Sequence, residues 1–132
     1  MRELNPRSIA PPLARYAHGV LVPDGAQLIC TSGQLGMTRD GTVPDGVRDQ
    51  AEICFANIDE ILSDGGSDRS NVIRVNAYVT DRGHMTEYME ARDKWLEGIR
   101  RLPASTLMIV SGFTRPEFLV EIEVLAAIVA RS

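Results

Sequence analysis

Glu121 and Glu123 stand inside the apolar run Leu119-Val120-Glu121-Ile122-Glu123-Val124. An ionised carboxylate is costly to bury unless it meets a donor, a cation or a substrate, so each is either a paired structural group or part of a site. Side chains alternate along a strand, which sends both carboxylates to one face together with Leu119 and Leu125. A partly desolvated carboxylate binds protons more tightly than one in water, and that is the property general acid–base work requires. A second apolar run opens on Pro103-Ala104-Ser105-Thr106, where two hydroxyls follow a proline turn. Ser32-Gly33-Gln34-Leu35-Gly36 reads as a loop whose glycines permit close backbone approach, either to a ligand or in tight turns. His18 and His84 are far apart in the chain, with no neighbour suggesting a triad or a metal site. No glycine-rich phosphate loop and no metal-ligand spacing is present, so neither a metal nor a cofactor is expected.

The elements that must position these groups follow from periodicity. Residues 1–12 carry three prolines and no repeat, and read as an irregular arm. Apolar segments at 17–22 and 27–31 flank Pro23-Asp24-Gly25-Ala26, a turn sequence that predicts a hairpin. Val47, Ala51, Cys54, Phe55, Ile58 and Leu62 recur at helical spacing, and Gly65-Gly66 follows as a stop, which predicts a helix over 47–62. Residues 71–80 are rich in β-branched types and read as a strand. A second helix over 84–99 is predicted from the stripe Met85, Tyr88, Met89, Leu96 and Ile99, with Glu87, Glu90, Asp93, Lys94 and Glu97 on its polar side. Trp95 lies beside the stripe and is expected to serve packing. Two final strands, at 105–113 and 118–130, flank Thr114-Arg115-Pro116-Glu117.

Both final strands are apolar on nearly every residue and expect cover on each side, whereas two helices cover one face of a sheet. The expected fold is therefore α+β: a mixed sheet in the order β-β-α-β-α-β-β, two helices packed on one face, and copies of the chain closing the other. At 132 residues the chain fits a single domain, 1–132, that needs no disulfide staples. Cys30 and Cys54 read as small buried hydrophobes in a reducing compartment. A formal net charge of −4 with one lysine, Lys94, argues against a general nucleic-acid surface. No apolar stretch approaches the ~20 residues of a membrane span, and no leader pattern opens the chain, so a cytoplasmic protein is expected.

Several stretches, taken in order, make the chain resemble the Rid family of enamine and imine deaminases, also called the YjgF family. They are Tyr16 after the arm, Cys30-Thr31-Ser32-Gly33-Gln34, the helix ending in Gly65-Gly66, Val75-Asn76-Ala77-Tyr78-Val79-Thr80-Asp81, Pro103-Ala104-Ser105-Thr106 and Val120-Glu121-Ile122-Glu123. The resemblance spans nearly the whole chain. It implies a chorismate-mutase-like homotrimer with a central barrel and small-molecule clefts between subunits. There, reactive imines and enamines from amino acids would be hydrolysed to a keto acid and ammonia without metal or cofactor, as in a 2-iminobutanoate/2-iminopropanoate deaminase.

By the same resemblance Glu121 matches the water-positioning glutamate, and Tyr16, Ser32 and Gly33 match cleft-lining positions. Ser105 and Thr106 would offer hydroxyls and amides, Leu107 its carbonyl, and Met89 an apolar wall. The family pattern Pro-Ala-Arg-Ser/Thr carries an arginine that grips the substrate carboxylate through paired charge-assisted bonds. Here Ser105 stands in its place, and loss of such a contact costs about 1.5–3 kcal/mol or more. Arg92 or Arg101 is a candidate replacement, each also readable as a surface arginine, and Ser105→Arg is expected to raise activity on carboxylate-bearing imines if the cleft is otherwise intact. An altered substrate is thus expected, of an aminoacrylate-like or aminomuconate-like kind. Two other readings remain beside it: a non-catalytic trimeric protein that binds small metabolites, and a ribonuclease or translation inhibitor, which the acidic composition disfavours. The bland readings also stay open, with Glu121 as a structural carboxylate paired across the trimer, Ser105 and Thr106 as ordinary strand residues, and Tyr16, Ser32 and Gly33 as packing and turn geometry.

Overall fold

The computed structural model of the protein describes residues 1–130. Its elements run β1 (Arg2–Leu4), β2 (Gly19–Leu21), β3 (Gln27–Cys30), β4 (Gln34–Leu35), α1 (Val47–Asp64), β5 (Val72–Val79), α2 (Met85–Trp95), β6 (Ala104–Ile109) and β7 (Val120–Ile128). The main sheet has the order β3-β7-β5-β6, and β4 also pairs with β7. β5 and β6 are parallel, and the β7 pairings are antiparallel. The two-helix α+β architecture agrees with the sequence reading. Among the described residues no helix is long and apolar enough to cross a membrane.

α1 begins after Gly46 without a side-chain cap, although Asp49 in its first turn favours the helix dipole. It ends in a Schellman turn: Ser67 donates its amide to the Leu62 carbonyl at 2.8 Å and Gly66 to Ser63 at 3.0 Å. Gly66 sits at φ +76°, which the turn requires and a side chain would oppose. Along β7, Val120, Ile122, Val124 and Ala126 face inward and meet Val75, Ala77 and Val79 of β5 beneath Ala51, Phe55, Ile58 and Leu62 of α1 and Tyr88 and Trp95 of α2. Trp95 stacks on Phe55 with ring centroids 4.5 Å apart, in the packing role expected of it. The opposite face of the sheet carries Arg74, Asn76, Tyr78, Glu121, Glu123 and Leu125, and among the described residues no layer lies over it.

Six local expectations are corrected. The segments on either side of Pro23-Asp24-Gly25 do not form a hairpin: β2 pairs with β1 and β3 with β7, because long-range partners outcompete the local turn. For the same reason the start of the arm is a strand, and Gln34-Leu35, read as loop, is the strand that flanks Glu121. The second helix stops at Trp95 rather than Ile99; a turn ending in Gly98 at φ +79° takes over, yet Leu96 stays fully buried and Ile99 packs on the core. Cys30 is exposed on the outer β3 strand, Cys54 alone being buried, and Leu119 falls before β7 and packs on the core rather than with the carboxylates.

Candidate functional site

The sheet distributes the expected site residues between its two faces. β6 pairs Ser105 with Val75 and Leu107 with Ala77, both core residues, so Ser105 and Leu107 lie on the helix side. Thr106 alternates to the other side, where it accepts a hydrogen bond from Arg74 Nη2 at 2.6 Å. Glu121 is in register with Tyr78, also on the uncovered side. Two clusters result, where the sequence suggested one set.

On the helix side, at the outer edge of β6, a cleft of about 390 Å³ is lined by Leu13, Tyr16, Met85, Met89, Arg92, Ser105 and Leu107. Four of the expected residues, Tyr16, Met89, Ser105 and Leu107, meet here. The arm supplies the outer wall: Leu13 donates its amide to the Tyr16 hydroxyl at 3.3 Å, and Arg15 donates to the Leu96 carbonyl at 3.3 Å, holding the arm against the end of α2. Arg92 contributes the cleft's guanidinium. Its side chain is 4% exposed, and it donates through Nη1 to Ser105 Oγ at 3.4 Å and through Nε and Nη2 to one Asp93 oxygen at 3.3 and 3.2 Å.

This placement decides between the two arginines proposed from sequence. Arg92 reaches Ser105, where the resemblance would have an arginine on the strand itself. Arg101 instead donates to the carbonyls of Ser70 and Val72 and does not line the cleft, so it serves the start of β5. It also overturns the reading of Arg92 as a surface residue. The spacing held a clue, since Met85, Met89, Arg92 and Leu96 fall three or four apart on one helix face. Leu13, at the end of a proline-rich stretch, carried no comparable sign.

On the uncovered side, Glu121 lies between Leu35 of β4 and Tyr78 of β5. The loop between β3 and β4 presses on it so closely that a Cβ on Gly33 would stand 2.4 Å from Glu121 Oε1. Ser32 is in the same loop, its carbonyl accepting from Gln34 Nε2 at 3.2 Å. Burial, then the neighbouring Glu123 charge, holds the Glu121 carboxyl above its ordinary pKa, and among the described residues no hydrogen-bond donor opposes the shift. Glu123 differs: it accepts a hydrogen bond from the Tyr78 hydroxyl at 2.8 Å, as suits the structural member of the pair. The geometry thus provides one occupied carboxylate and one left for a proton or a water.

Comparison with known proteins adds a family. A profile described as endoribonuclease L-PSP matches residues 7–128. A RutC family protein of Aquifex aeolicus is 30% identical over 105 residues, covering 79% of this chain and 82% of that one. A 2-iminobutanoate/2-iminopropanoate deaminase of Rattus norvegicus is 30% identical over 116 residues, covering 86% and 80%. Among solved structures, the Rid-family protein YyfB of Yersinia pestis, of unknown function, superposes with a TM-score of 0.87 at 23% identity over 96% of this chain and 98% of that one, a likeness of fold. TdcF of E. coli with bound serine has a TM-score of 0.72 at 25% identity, covering 97% and 94%.

Proposed function

The chain belongs to the endoribonuclease L-PSP family, that is, the YjgF/Rid family, and on that premise we propose that it hydrolyses a reactive imine or enamine, with Glu121 as the group that handles the proton. The observation that carries this reading is the state of Glu121: a partly buried carboxylate with a raised pKa and no donor among the described residues, beside a twin that accepts a hydrogen bond from Tyr78.

The two clusters belong to one reaction if the uncovered sheet face of one subunit meets the cleft edge of the next. Glu121 is two strands away from β6 and on the opposite face, so within one chain it does not serve the cleft of Tyr16, Met89 and Ser105. A homotrimer, with uncovered faces turned inward as a barrel and clefts between neighbours, would give the arrangement a use. It would also remove the exposed apolar side chains Leu28 and Met108 from water.

The chemistry then runs in two steps. A water oxygen attacks the C=N carbon as Glu121 takes one of the water's protons and delivers it to the substrate nitrogen, giving a carbinolamine. The C–N bond breaks as the oxygen's second proton moves to nitrogen through the carboxylate, leaving a C=O bond and ammonia. An enamine first gains a proton at its β-carbon and loses one from nitrogen, giving the same imine. The Gly33 backbone, kept close by the absence of a side chain, limits where the carboxylate points. Ser105, Thr106 and the Leu107 carbonyl line the approach in this reading, although Thr106 reaches a ligand only from the barrel side.

The replacement of the strand arginine by Ser105 favours the rival reading of a cleft that binds a metabolite without turnover. One assay separates them: an amino-acid oxidase generates imines, and their hydrolysis is followed with the protein or Glu121→Gln added. Acceleration lost in the variant supports the deaminase; acceleration by the variant equal to that of the parent removes Glu121 from the mechanism, and ligand-induced thermal stabilisation with no acceleration on any imine establishes the binding protein.

A further inference from the structure

We infer that Cys54 is a positioning residue for Glu121: from the core side its thiol holds β4, and so keeps the Gly33 loop closed on the carboxylate. The inference rests on the proposed role of Glu121 and names a residue that supports it. Cys54 is fully buried on α1 and donates its thiol to the Gln34 carbonyl at 3.1 Å. That bond falls one residue after Gly33, which leaves no room for a side chain beside Glu121 Oε1. Burial pushes the Cys54 pKa up to about 12, and the Glu121 charge pushes the same way, so the thiol keeps its proton and stays a donor at neutral pH.

β4 needs such a hold. It has two residues, Gln34 and Leu35, paired with Ile122 and Glu121, and so short a ladder opens easily. The chain before it is stitched to β7 at Thr31, whose amide donates to the Val124 carbonyl at 3.1 Å and whose hydroxyl accepts the Val124 amide at 3.0 Å. After it, Gly36 is wedged against the Gln50 side chain. Between these anchors, Cys54 supplies the one side-chain hydrogen bond that α1 makes to residues 32–35 among the described residues. Without it Gly33 can draw back and water can reach Glu121, which makes the carboxyl more acidic and its aim less definite. Glu123 on β7 and Tyr78 on β5 are the other titratable groups that face Glu121, while β4 brings no charge. Neither of the two is altered by a change at Cys54.

The test is the titration of Glu121 itself, followed by NMR of the side-chain carboxyl carbons in the intact protein, with the signal assigned by its loss in Glu121→Gln. Cys54→Ser keeps a donor in less volume, Cys54→Val keeps the volume without a donor, and Cys54→Ala drops both. The expected result is that Cys54→Ser retains the parent's raised pKa, while Cys54→Val and Cys54→Ala bring it down toward the ordinary 4.5. In the imine assay Cys54→Val should lose kcat about 10- to 100-fold with KM little changed, and its acidic limb should move to lower pH. Thermal melts identify any variant that has unfolded, and Cys54→Ala carries the expectation if Cys54→Val does not fold. An unshifted Glu121 in a folded donor-less variant overturns the inference, as does a Cys54→Ser that falls with the others or fails to fold. A parent Glu121 that titrates at or below 4.5 also overturns it, and so does the unfolding of both donor-less variants, which would make the bond structural only. The deaminase reading fails separately: a parent that hydrolyses no imine refutes it, while the carboxyl titration still decides the role of Cys54.

Discussion

At the residue scale the pair Glu121 and Glu123 shows how one face of one strand holds two carboxylates in different states. Tyr78 donates to Glu123, whereas Glu121 faces only burial and like charge. General acid–base groups contribute about 10²–10⁴-fold, so Glu121→Gln is expected to slow imine hydrolysis by at least about 100-fold. The pH profile should agree. As a base Glu121 must be ionised, so kcat/KM should rise with pH through a pKa above the ordinary 4.5 and then level, and the variant should lose that limb. Stability follows the same sign: a raised folded-state pKa makes Glu121 most favourable to the fold at low pH and less so as pH rises through that value. Glu121→Gln should therefore be no less stable than the parent at pH 7 by denaturant titration. Ser105→Arg, which sequence alone recommends as a gain, is expected to do the reverse. It sets a second guanidinium against Arg92, whose Nη1 is 3.4 Å from Ser105 Oγ, and activity on carboxylate-bearing imines should fall by about tenfold or more in the same oxidase-coupled assay.

At the element scale the segments around the site are held by polar staples as much as by apolar packing. Gln50 on α1 is fully buried; its amide donates to the carbonyls of Pro44 and Glu117 at 2.8 and 2.9 Å, and its oxygen accepts the Leu119 amide at 2.9 Å. One side chain so joins the loop before α1 to the turn that launches β7. Gly36 packs on it so tightly that a Cβ there would lie 2.4 Å from the Gln50 Cβ. Gln50→Leu keeps the volume and leaves those three backbone groups without partners, which should cost about 2–5 kcal/mol in urea or guanidinium unfolding. Helical periodicity identified α1 and α2, and runs of β-branched or apolar residues identified β5, β6 and β7, because those residues meet a common core. Neither signal identified β1 and β4, three- and two-residue strands that exist only where a distant partner offers a ladder.

At the scale of the whole molecule the uncovered sheet face decides whether the two clusters form one site. If copies close it as a homotrimer, light scattering should give three times the mass of one chain. Leu125→Glu, which adds a third carboxylate to the face of Glu121 and Glu123, should then yield a folded monomer by circular dichroism that no longer hydrolyses imines. A parent protein that is monomeric and fully active would refute the shared cleft. Arg74, bonded to Asn76 and Thr106 across β5 and β6, belongs to the same face.

The amino-acid sequence by itself determined the α+β class, the main helices and strands and the family, because each rests on local periodicity or on residue types in a fixed order. Tertiary structure alone decided that Ser105 and Thr106 face opposite ways across the sheet, that Glu121 is remote from the cleft in its own chain, and that Arg92 rather than Arg101 meets Ser105. The physical reason is that side-chain partners are set by strand register and helix placement, which join residues tens of positions apart. Position 92 shows the difference: its place on the apolar stripe was legible in the helical spacing, but the serine it faces was supplied by a strand that only folding brings beside it.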